Sequence, residues 1–399
     1  MQAQHANVTA LVTPEILVQR AREMIPALQR RAAQADADRR IPAETIAELQ
    51  AAGFFRMLQP KKYGGYEMDP QAFYNVAMTL AEGCMSTSWV FGIVGVHNWQ
   101  LALFDPRAAE EVWGQNDATL IASTYMPKGN VKKVEGGFQF SGRWGFSSGI
   151  DHCQWVFLGG LIFDEAGKAP PEYRTFLLPR ADFEVVDTWQ TMGLKATGSQ
   201  DIVVKGCFVP EYRTHKASDG FMGTNPGRET FTAPLYRLPF GQIFVRAVSS
   251  AAIGALQGAL TSFREFGSVR VGDMGNKTSE QGPAQMAAAD SALAIDEMKL
   301  VLNRNFDRLM DAARHGQQLG VADRLHYRHQ AAQVVERCAK QAYQLFSACG
   351  GRGIFSDFPL IRYFLDIHAA RGHYANNPDQ FGKNYGSVLL GRDNTDYFI

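Results

Sequence analysis

The sequence predicts an α+β multidomain protein in which an N-terminal helical domain and a C-terminal four-helix bundle enclose a central β domain. Two observations predict this order. Apolar residues repeat at helical spacing near both ends of the 399-residue chain, whereas residues 119–210 form short β-branched or aromatic runs separated by Gly and Pro. We expect the domain boundaries at residues 1–116, 117–211 and 212–399, because a chain of this length holds two or three domains.

Four capping signals predict helix starts in the first domain. In each, a capping residue or a proline suited to the first helical position precedes an apolar repeat. These signals are Thr13–Pro14, Asp69–Pro70, Ser86–Thr87–Ser88 and Asp105–Pro106. A further short helix is expected between Pro42 and Gly53.

Glycine and proline mark the strands of the second domain. Gly136–Gly137 between two alternating runs predicts a hairpin. Pro127, Pro179 and Pro210 are expected to end strands, because proline cannot donate to a ladder. Residues 212–240 predict an irregular connector. Long helices over 244–266, 283–313, 322–348 and 357–375 then predict the bundle.

Composition and charge argue against several kinds of partner. Hydrophobic residues make up 46% of the chain and charged residues 20%, as in a globular protein with a large core. The 40 basic residues balance 40 acidic ones, which argues against a nucleic acid or a membrane surface as main partner. The five cysteines contain no C-x-x-C pair, which indicates reduced thiols in the cytoplasm. We find no signal-peptide pattern and no uncharged apolar run of the ~20 residues that a membrane span needs.

One stretch of the β domain combines aromatic, hydroxyl and glycine residues: Trp144–Gly145–Phe146–Ser147–Ser148–Gly149–Ile150–Asp151–His152–Cys153–Gln154–Trp155. Adjacent hydroxyls beside glycine can present oxygens and backbone N–H groups to a planar polar ligand. Flat aromatic walls suit a ring system. The stretch favours one wall of a flavin site, although the same residues also suit an ordinary bend between two strands.

Other candidate residues are single. His97 lies on an apolar helix, where a core histidine bonded to a carbonyl is the alternative to a functional one. Asp366 and His373 are seven residues apart and are expected to share a helix face. With no third ligand nearby, we predict no metal site. The absence of a G-x-G-x-x-G opening a helix indicates that any redox chemistry here does not use a Rossmann domain of this chain.

Five segments together resemble the oxygenase components of two-component flavin-dependent aromatic hydroxylases, which have the acyl-CoA dehydrogenase fold. This family includes 4-hydroxyphenylacetate hydroxylase and the secosteroid-phenol hydroxylase of steroid degradation. The segments are residues 37–65, 86–104, 144–155, 192–199 and 366–379. The resemblance extends from about Arg39 onward and implies a central β-barrel or sandwich between the two helical parts.

The resemblance implies an activity and its partners. Reduced FMN, with FAD as an alternative, comes from a separate NAD(P)H:flavin reductase and reacts with O₂ to give a C4a-hydroperoxyflavin. This species hydroxylates a phenolic substrate ortho to an existing hydroxyl. The family also implies a homo-oligomer, expected to be a tetramer.

The resemblance implies residue roles as well. Catalytic roles fall to His97, Ser148 and His373. Flavin contacts fall to Ser123, Thr124, Phe146, Ser147, Ser148, Arg270, Phe346, Gly350 and Gly351, and the segment from Phe346 to Gly351 is expected to hold the cofactor tail across a subunit contact. Substrate contacts fall to Trp89, His97, Ser123 and His373.

Two departures from the fold's other members affect this interpretation. Many dehydrogenases of this fold carry a glutamate base where this chain has Gly372–His373–Tyr374–Ala375, which argues against an acyl-CoA dehydrogenase. Residues 393–399 lack the ending expected of near relatives, which leaves the substrate open. The alternatives are an acyl-CoA dehydrogenase-like flavoenzyme, an oxygenase acting on nitrogen, sulfur or indole carbon, and a flavin-free scaffold.

Overall fold

The computed structural model describes residues 12–163, 171–272 and 275–399, and in these ranges the predicted order of helices, sheet and helices is confirmed. The first helices are α1 (Pro14–Asp38), α2 (Ala43–Ala51), α3 (Pro70–Ala81), α4 (Met85–Gln100) and α5 (Pro106–Trp113). The strands are β1 (Ile121–Val134), β2 (Gly137–Ser147), β3 (Trp155–Ile162), β4 (Glu172–Pro179), β5 (Glu184–Val186), β6 (Gln200–Pro210) and β7 (Thr214–Lys216). The remaining helices are α6 (Ala217–Met222), α7 (Phe240–Ala247), α8 (Ser250–Val269), α9 (Gly282–Arg314), α10 (Val321–Ala348), α11 (Pro359–Ala370) and α12 (Pro378–Leu389).

The N-terminal helices follow most of their capping signals. Thr13 caps α1 by accepting from the N–H of Ile16 at 3.4 Å. The expected cap of α4 at residues 86–88 is wrong, because Cys84 is the N-cap and the hydroxyl residues lie in the first turn. The Ser88 hydroxyl donates instead to the Ala77 carbonyl of α3 at 2.6 Å. Helix α4 is therefore packed against α3 from its first turn.

The seven strands form one mixed sheet in the order β5-β6-β2-β1-β3-β4-β7. The hairpin between β1 and β2 is confirmed, with Gly136 at φ +76°. Pro127 does not end β1 as expected. It lies where the register between β1 and β3 shifts, between Thr124 and Gly129, and such a bulge tolerates a residue without an N–H. Strand β7 falls inside the predicted irregular connector, because three residues are too few to show a pattern.

The helical bundle is built mainly from α8, α9, α10 and α11. The helix predicted over 244–266 is two helices, α7 and α8, which meet at Val248 and Ser249. The helix predicted over 357–375 ends at Ala370, so His373 does not share a helix face with Asp366. The side-chain amide of Asn376 donates to the carbonyls of both Val248 and Ala370, at 3.0 Å each, which satisfies backbone groups at both breaks.

Helices α7 and α8 together carry the most apolar stretch among the described residues. Phe240–Val269 is long and apolar enough to cross a membrane by length and composition alone, but 94% of its most apolar window is buried inside the protein. Its position in the bundle explains this composition, since a helix that is apolar on all sides is typical of a protein core.

The five cysteines are free thiols, and four of them are buried. Burial penalises the thiolate and raises the pKa of Cys84 to about 11 and of Cys349 to about 12.

Close packing of α3 on α8 generates a stability prediction. A Cβ atom on Gly254 would lie 1.9 Å from the Met78 carbonyl oxygen, so Gly254→Ala must push the helices apart. We expect the free energy of unfolding to fall by about 1–3 kcal/mol or more. Gly386→Ala in α12 is the matched control, because a Cβ there meets open space and alanine favours a helix by about 0.5–1 kcal/mol. Urea unfolding of both variants checks this, and equal stabilities would contradict it.

Candidate active site

The aromatic and hydroxyl stretch of the β domain forms a tight turn that presents Ser148 to helix α4. Phe146 has φ +67° and Gly149 has φ +71°, both in the left-handed region. The Ser148 N–H donates to the Phe146 carbonyl at 3.1 Å, and the Gly149 N–H donates to the Thr197 carbonyl at 2.9 Å. The turn is therefore fixed both by itself and by the segment before β6.

Ser148 is buried and takes part in a network of side chains. Its hydroxyl accepts from the indole N–H of Trp89 at 3.2 Å and lies 2.7 Å from the hydroxyl of Ser199. The Ser199 hydroxyl lies 2.7 Å from that of Thr197. Trp89 thus joins the predicted serine to α4, and Thr197 and Ser199 lie behind it.

His97 is fully buried on α4 and has one free nitrogen. Its Nδ1 lies 2.6 Å from the Ile121 carbonyl oxygen, which can only accept, so Nδ1 carries the proton. Its Nε2 is buried with no hydrogen-bond partner. Burial lowers the pKa of His97 to about 4, so the ring is neutral at neutral pH and offers a lone pair.

His373 follows α11 and lies beside Trp89. Its ring centroid is 5.8 Å from that of Trp89 and 6.2 Å from that of Phe244. Its Nδ1 accepts from the Ala375 N–H at 3.1 Å. Burial, together with the positive charge of Arg328, lowers the pKa of His373 to about 4. His373 is therefore a second neutral imidazole, contributed by the C-terminal helices.

Four aromatic side chains, which we call the aromatic wall, connect the two histidines: Tyr125, Phe240, Phe244 and Phe398. The Tyr125 ring lies 6.2 Å from that of His97, 5.5 Å from Phe240 and 4.9 Å from Phe244. The Tyr125 hydroxyl donates to the side-chain oxygen of Gln100. Ring contacts through the aromatic wall thus link His97 to His373, and Trp89 links His373 to Ser148 by a ring contact on one side and a hydrogen bond on the other.

The C-terminal segment supplies one member of the aromatic wall. The ring of Phe398 lies 5.6 Å from Phe240 and 6.1 Å from Phe244, and Ile399 is buried. A Cβ on Gly241 would meet the backbone of Phe398 at 2.6 Å, so the segment lies directly against α7. The divergent tail therefore lies at the wall of the site.

The other predicted residues of the β domain lie near this site in different ways. Ser123 pairs with Phe157 on β3, whose ring lies 5.5 Å from His97, so Ser123 shares the face of the sheet towards His97. Thr124 is on the opposite face, because successive side chains alternate. The Ser147 hydroxyl is buried without a partner.

Phe146 is a large apolar side chain on the outside of the turn. It is 65% exposed, and its ring contacts that of Trp189 at 5.7 Å. Together with the unpartnered Ser147 hydroxyl and the remaining lone pair of Ser148, this aromatic surface fits a planar ring that has both apolar faces and polar edges. The residues present therefore fit a flavin.

The remaining predicted cofactor residues form a separate group. The Arg270 guanidinium lies over Phe266 at 5.3 Å, and Phe346 stacks on Phe364 at 4.6 Å. Gly350 has φ +58° and is surrounded by open space, as is Gly351. Phe266 contacts Phe358 at the start of α11, about 18 Å along that helix from its His373 end. These residues therefore form a group separate from the one around Ser148, His97 and His373.

The sequence singled out His97, His373, Ser147 and Ser148 as candidates but not the side chains that contact them. Thr197 and Ser199 lie in the 192–199 segment, where their hydroxyl spacing is the only local signal. Phe240 and Phe244 are four residues apart, as on one helix face, but they fall at the predicted connector boundary. Among residues 12–163, 171–272 and 275–399, no group of three His, Cys, Asp or Glu is arranged to hold a metal.

Two family models match parts of the chain. One, described as acyl-CoA dehydrogenase, N-terminal domain, matches residues 15–106. The other, described as acyl-CoA dehydrogenase, C-terminal domain, matches residues 247–378.

Relatives match along nearly the whole chain. The flavin-dependent monooxygenase, oxygenase subunit HsaA, of Rhodococcus jostii (strain RHA1) is 36% identical over 386 residues, which cover 96% of this chain and 100% of the relative. The FADH₂-dependent resorcinol hydroxylase, oxygenase component, of Rhizobium sp. (strain MTP-10005) is 29% identical over 400 residues, 97% of each chain. The crystal structure of 3-HSA hydroxylase from Rhodococcus sp. RHA1 has a TM-score of 0.92 at 35% identity and covers 96% of this chain and 99% of that one.

The buried state of His97 generates a pH prediction. Its pKa falls from 6.5 to about 4 on folding, so the unfolded chain takes up the proton first as the pH drops. The free energy of unfolding should therefore decrease from about pH 6.5 to 4, by roughly 3 kcal/mol for this group. His97→Gln should flatten that decrease in urea unfolding measured at several pH values. At pH 8 the imidazole is neutral in both the folded and the unfolded chain, so the difference in the free energy of unfolding between variant and parent reports the loss of the Nδ1 hydrogen bond. An unchanged pH dependence in His97→Gln would contradict the assignment of a buried, neutral His97.

Proposed function

The chain belongs to the family of flavin-dependent monooxygenase oxygenase subunits, and we propose that it hydroxylates a phenolic substrate ortho to an existing hydroxyl. The family predicted from sequence is thereby confirmed. We further propose that reduced FMN, or FADH₂, comes from a separate NAD(P)H:flavin reductase. When bound, the reduced flavin would supply two electrons to activate O₂, so that the substrate gains one oxygen atom and the other leaves as water.

The observation that carries this proposal is the free Nε2 of His97. A buried lone pair without a donor is costly, and a phenolic O–H supplies that donor. A hydrogen bond from the phenol to Nε2 raises electron density on the ring carbons ortho and para to the oxygen. Because burial holds the pKa of His97 near 4, the residue acts as a neutral acceptor that pulls on the proton. Ser123, Trp89 and His373 would complete the substrate contacts.

The cofactor would lie against the β domain. Ser148 would face flavin N5, with Ser147 and Phe146 beside the ring system and Thr124 on the neighbouring strand. Arg270 would contact the flavin phosphate, and Phe346, Gly350 and Gly351 would hold the cofactor tail across a subunit contact. The aromatic wall would keep water away from the bound flavin and substrate, which would protect activated oxygen from loss as hydrogen peroxide.

An acyl-CoA dehydrogenase activity fits less well. It needs a positioned base for the α-proton of a thioester. The catalytic candidates from the described ranges are two imidazoles with pKa values near 4 and a set of hydroxyls. Neither kind of group is a strong base at neutral pH, so we favour oxygen transfer.

We also propose a homotetramer that works in the cytoplasm. Met286, Leu293 and Leu300 are each more than half exposed on α9 and lie seven residues apart, so they form an apolar stripe on one helix face. Zero net charge leaves association of copies unopposed by long-range repulsion. Five free thiols are typical of a reducing compartment.

Anaerobic titration tests the proposal. The purified protein should bind reduced FMN or FADH₂ without oxygen, and mixing with oxygenated buffer and a phenol should yield a catechol. Acyl-CoA thioesters added to the oxidised-flavin form should not bleach the flavin. Absence of reduced-flavin binding, or bleaching by acyl-CoA, would overturn the assignment.

His97→Ala should uncouple oxygen use from product formation. We expect reduced flavin to bind as before, while catechol formed per flavin oxidised falls at least ~10-fold, because general acid–base assistance contributes about 10²–10⁴ in rate. Hydrogen peroxide should make up the difference, measured in the same single-turnover mixture. His315→Ala is the control, since that side chain is 69% exposed at the end of α9. A normal catechol yield from His97→Ala would remove the role.

A further inference from the structure

Three hydroxyl groups and one carbonyl group, from Ser148 to Leu194, form a continuous hydrogen-bonded chain. The Ser148 hydroxyl lies 2.7 Å from Ser199, Ser199 lies 2.7 Å from Thr197, and Thr197 lies 2.8 Å from the Leu194 carbonyl oxygen. All three hydroxyl residues are buried. We call these groups the hydroxyl chain.

Counting protons fixes the direction of the hydroxyl chain. The Leu194 carbonyl can only accept, so the one proton of Thr197 goes to it. Thr197 must then accept from Ser199, and Ser199 must accept from Ser148. The indole N–H of Trp89 can only donate, and it points at Ser148 from the other side. Ser148 therefore gives its proton to Ser199 and has one lone pair left.

The end of the hydroxyl chain is held in place. Leu194 has φ +51°, and its N–H donates to the Asp366 carboxylate at 2.6 Å. Its carbonyl also accepts from the indole N–H of Trp189 at 2.9 Å. Because the N–H and the carbonyl of Leu194 are both hydrogen-bonded, the orientation of the carbonyl is fixed. If the direction of the hydroxyl chain reversed, the Leu194 carbonyl would lose its hydrogen bond from Thr197.

We propose that Thr197 and Ser199 are positioning residues that make Ser148 select reduced over oxidised flavin. This inference rests on the proposed function, in which Ser148 faces N5. Reduced flavin carries a proton on N5 and can donate to the free lone pair of Ser148. Oxidised flavin has only a lone pair on N5, which meets the lone pair of Ser148 without a proton between them. Such selection suits an oxygenase that depends on a separate reductase. Flavin that has become oxidised in the reaction binds weakly and dissociates, so reduced flavin can bind in its place.

The expected effects differ between variants. Ser148→Ala removes the acceptor, so affinity for reduced flavin should fall, whereas affinity for oxidised flavin should not fall. Ser199→Ala frees the Ser148 proton to turn towards N5, so affinity for oxidised flavin should rise. Thr197→Val allows Ser199 to reverse and should act in the same direction. We express the selection as the dissociation constant for oxidised flavin divided by that for reduced flavin. One hydrogen bond corresponds to about a fivefold to tenfold change in this ratio.

Dissociation constants for reduced FMN, titrated anaerobically, and for oxidised FMN, titrated in air, test the inference in all variants. The midpoint potential of bound FMN should also fall in Ser199→Ala, by about 30 mV for a tenfold change. Thr197→Ser keeps the hydroxyl and should keep the parent ratio, which separates hydrogen bonding from packing.

The outcomes separate the inference from the function on which it rests. A parent ratio retained in both Ser199→Ala and Thr197→Val, with reduced FMN still bound, overturns the inference alone. Failure of the parent protein to bind reduced FMN overturns the proposed function and the inference together. The inference is also overturned if Thr197→Ser lowers the ratio as much as Thr197→Val does. The hydroxyl is kept in Thr197→Ser, so packing alone would then account for the change.

Discussion

Complete burial of helix α4 is the constraint on which the site depends. All sixteen residues from Met85 to Gln100 are buried, so every polar side chain on the helix must find its partner inside the protein. Trp89 reaches Ser148, and Asn98 reaches the Phe55 carbonyl at 2.6 Å. Three buried polar atoms on the helix have no partner among the described residues, namely Ser86 Oγ, Asn98 Oδ1 and His97 Nε2. Of these, His97 Nε2 belongs to the ring that contacts Tyr125 of the aromatic wall, where we propose that the substrate binds.

The two halves of the site share one chemical character. His97 and Ser148 both present lone pairs, because a neighbouring carbonyl takes the proton of His97 and the hydroxyl chain takes that of Ser148. Neither group carries a charge at neutral pH. A site of neutral acceptors lined by aromatic rings attracts donors such as a phenol hydroxyl or a reduced flavin N–H, and it holds water poorly.

Local patterns predicted the helices and strands, while long-range contacts determined what the sequence left open. Thr13 and Gly136 act within a few residues, so their cap and turn were readable. The ends of α7 and α11 depend on Asn376, which is 128 residues away from Val248. Likewise His97 and Ser148 could be named from their motifs. Ser199, 51 residues beyond Ser148, and Phe398 join the site only through folding.

The burial of the cysteines has a consequence for the lifetime of such an enzyme. Oxygen that meets reduced flavin without reaching a substrate leaves as hydrogen peroxide, and peroxide attacks thiolates to form sulfenic acids. With its pKa raised to about 11, Cys84 is ionised in only about one molecule in ten thousand at neutral pH. A fold that keeps four of its five thiols buried and protonated thus protects those thiols from its own by-product.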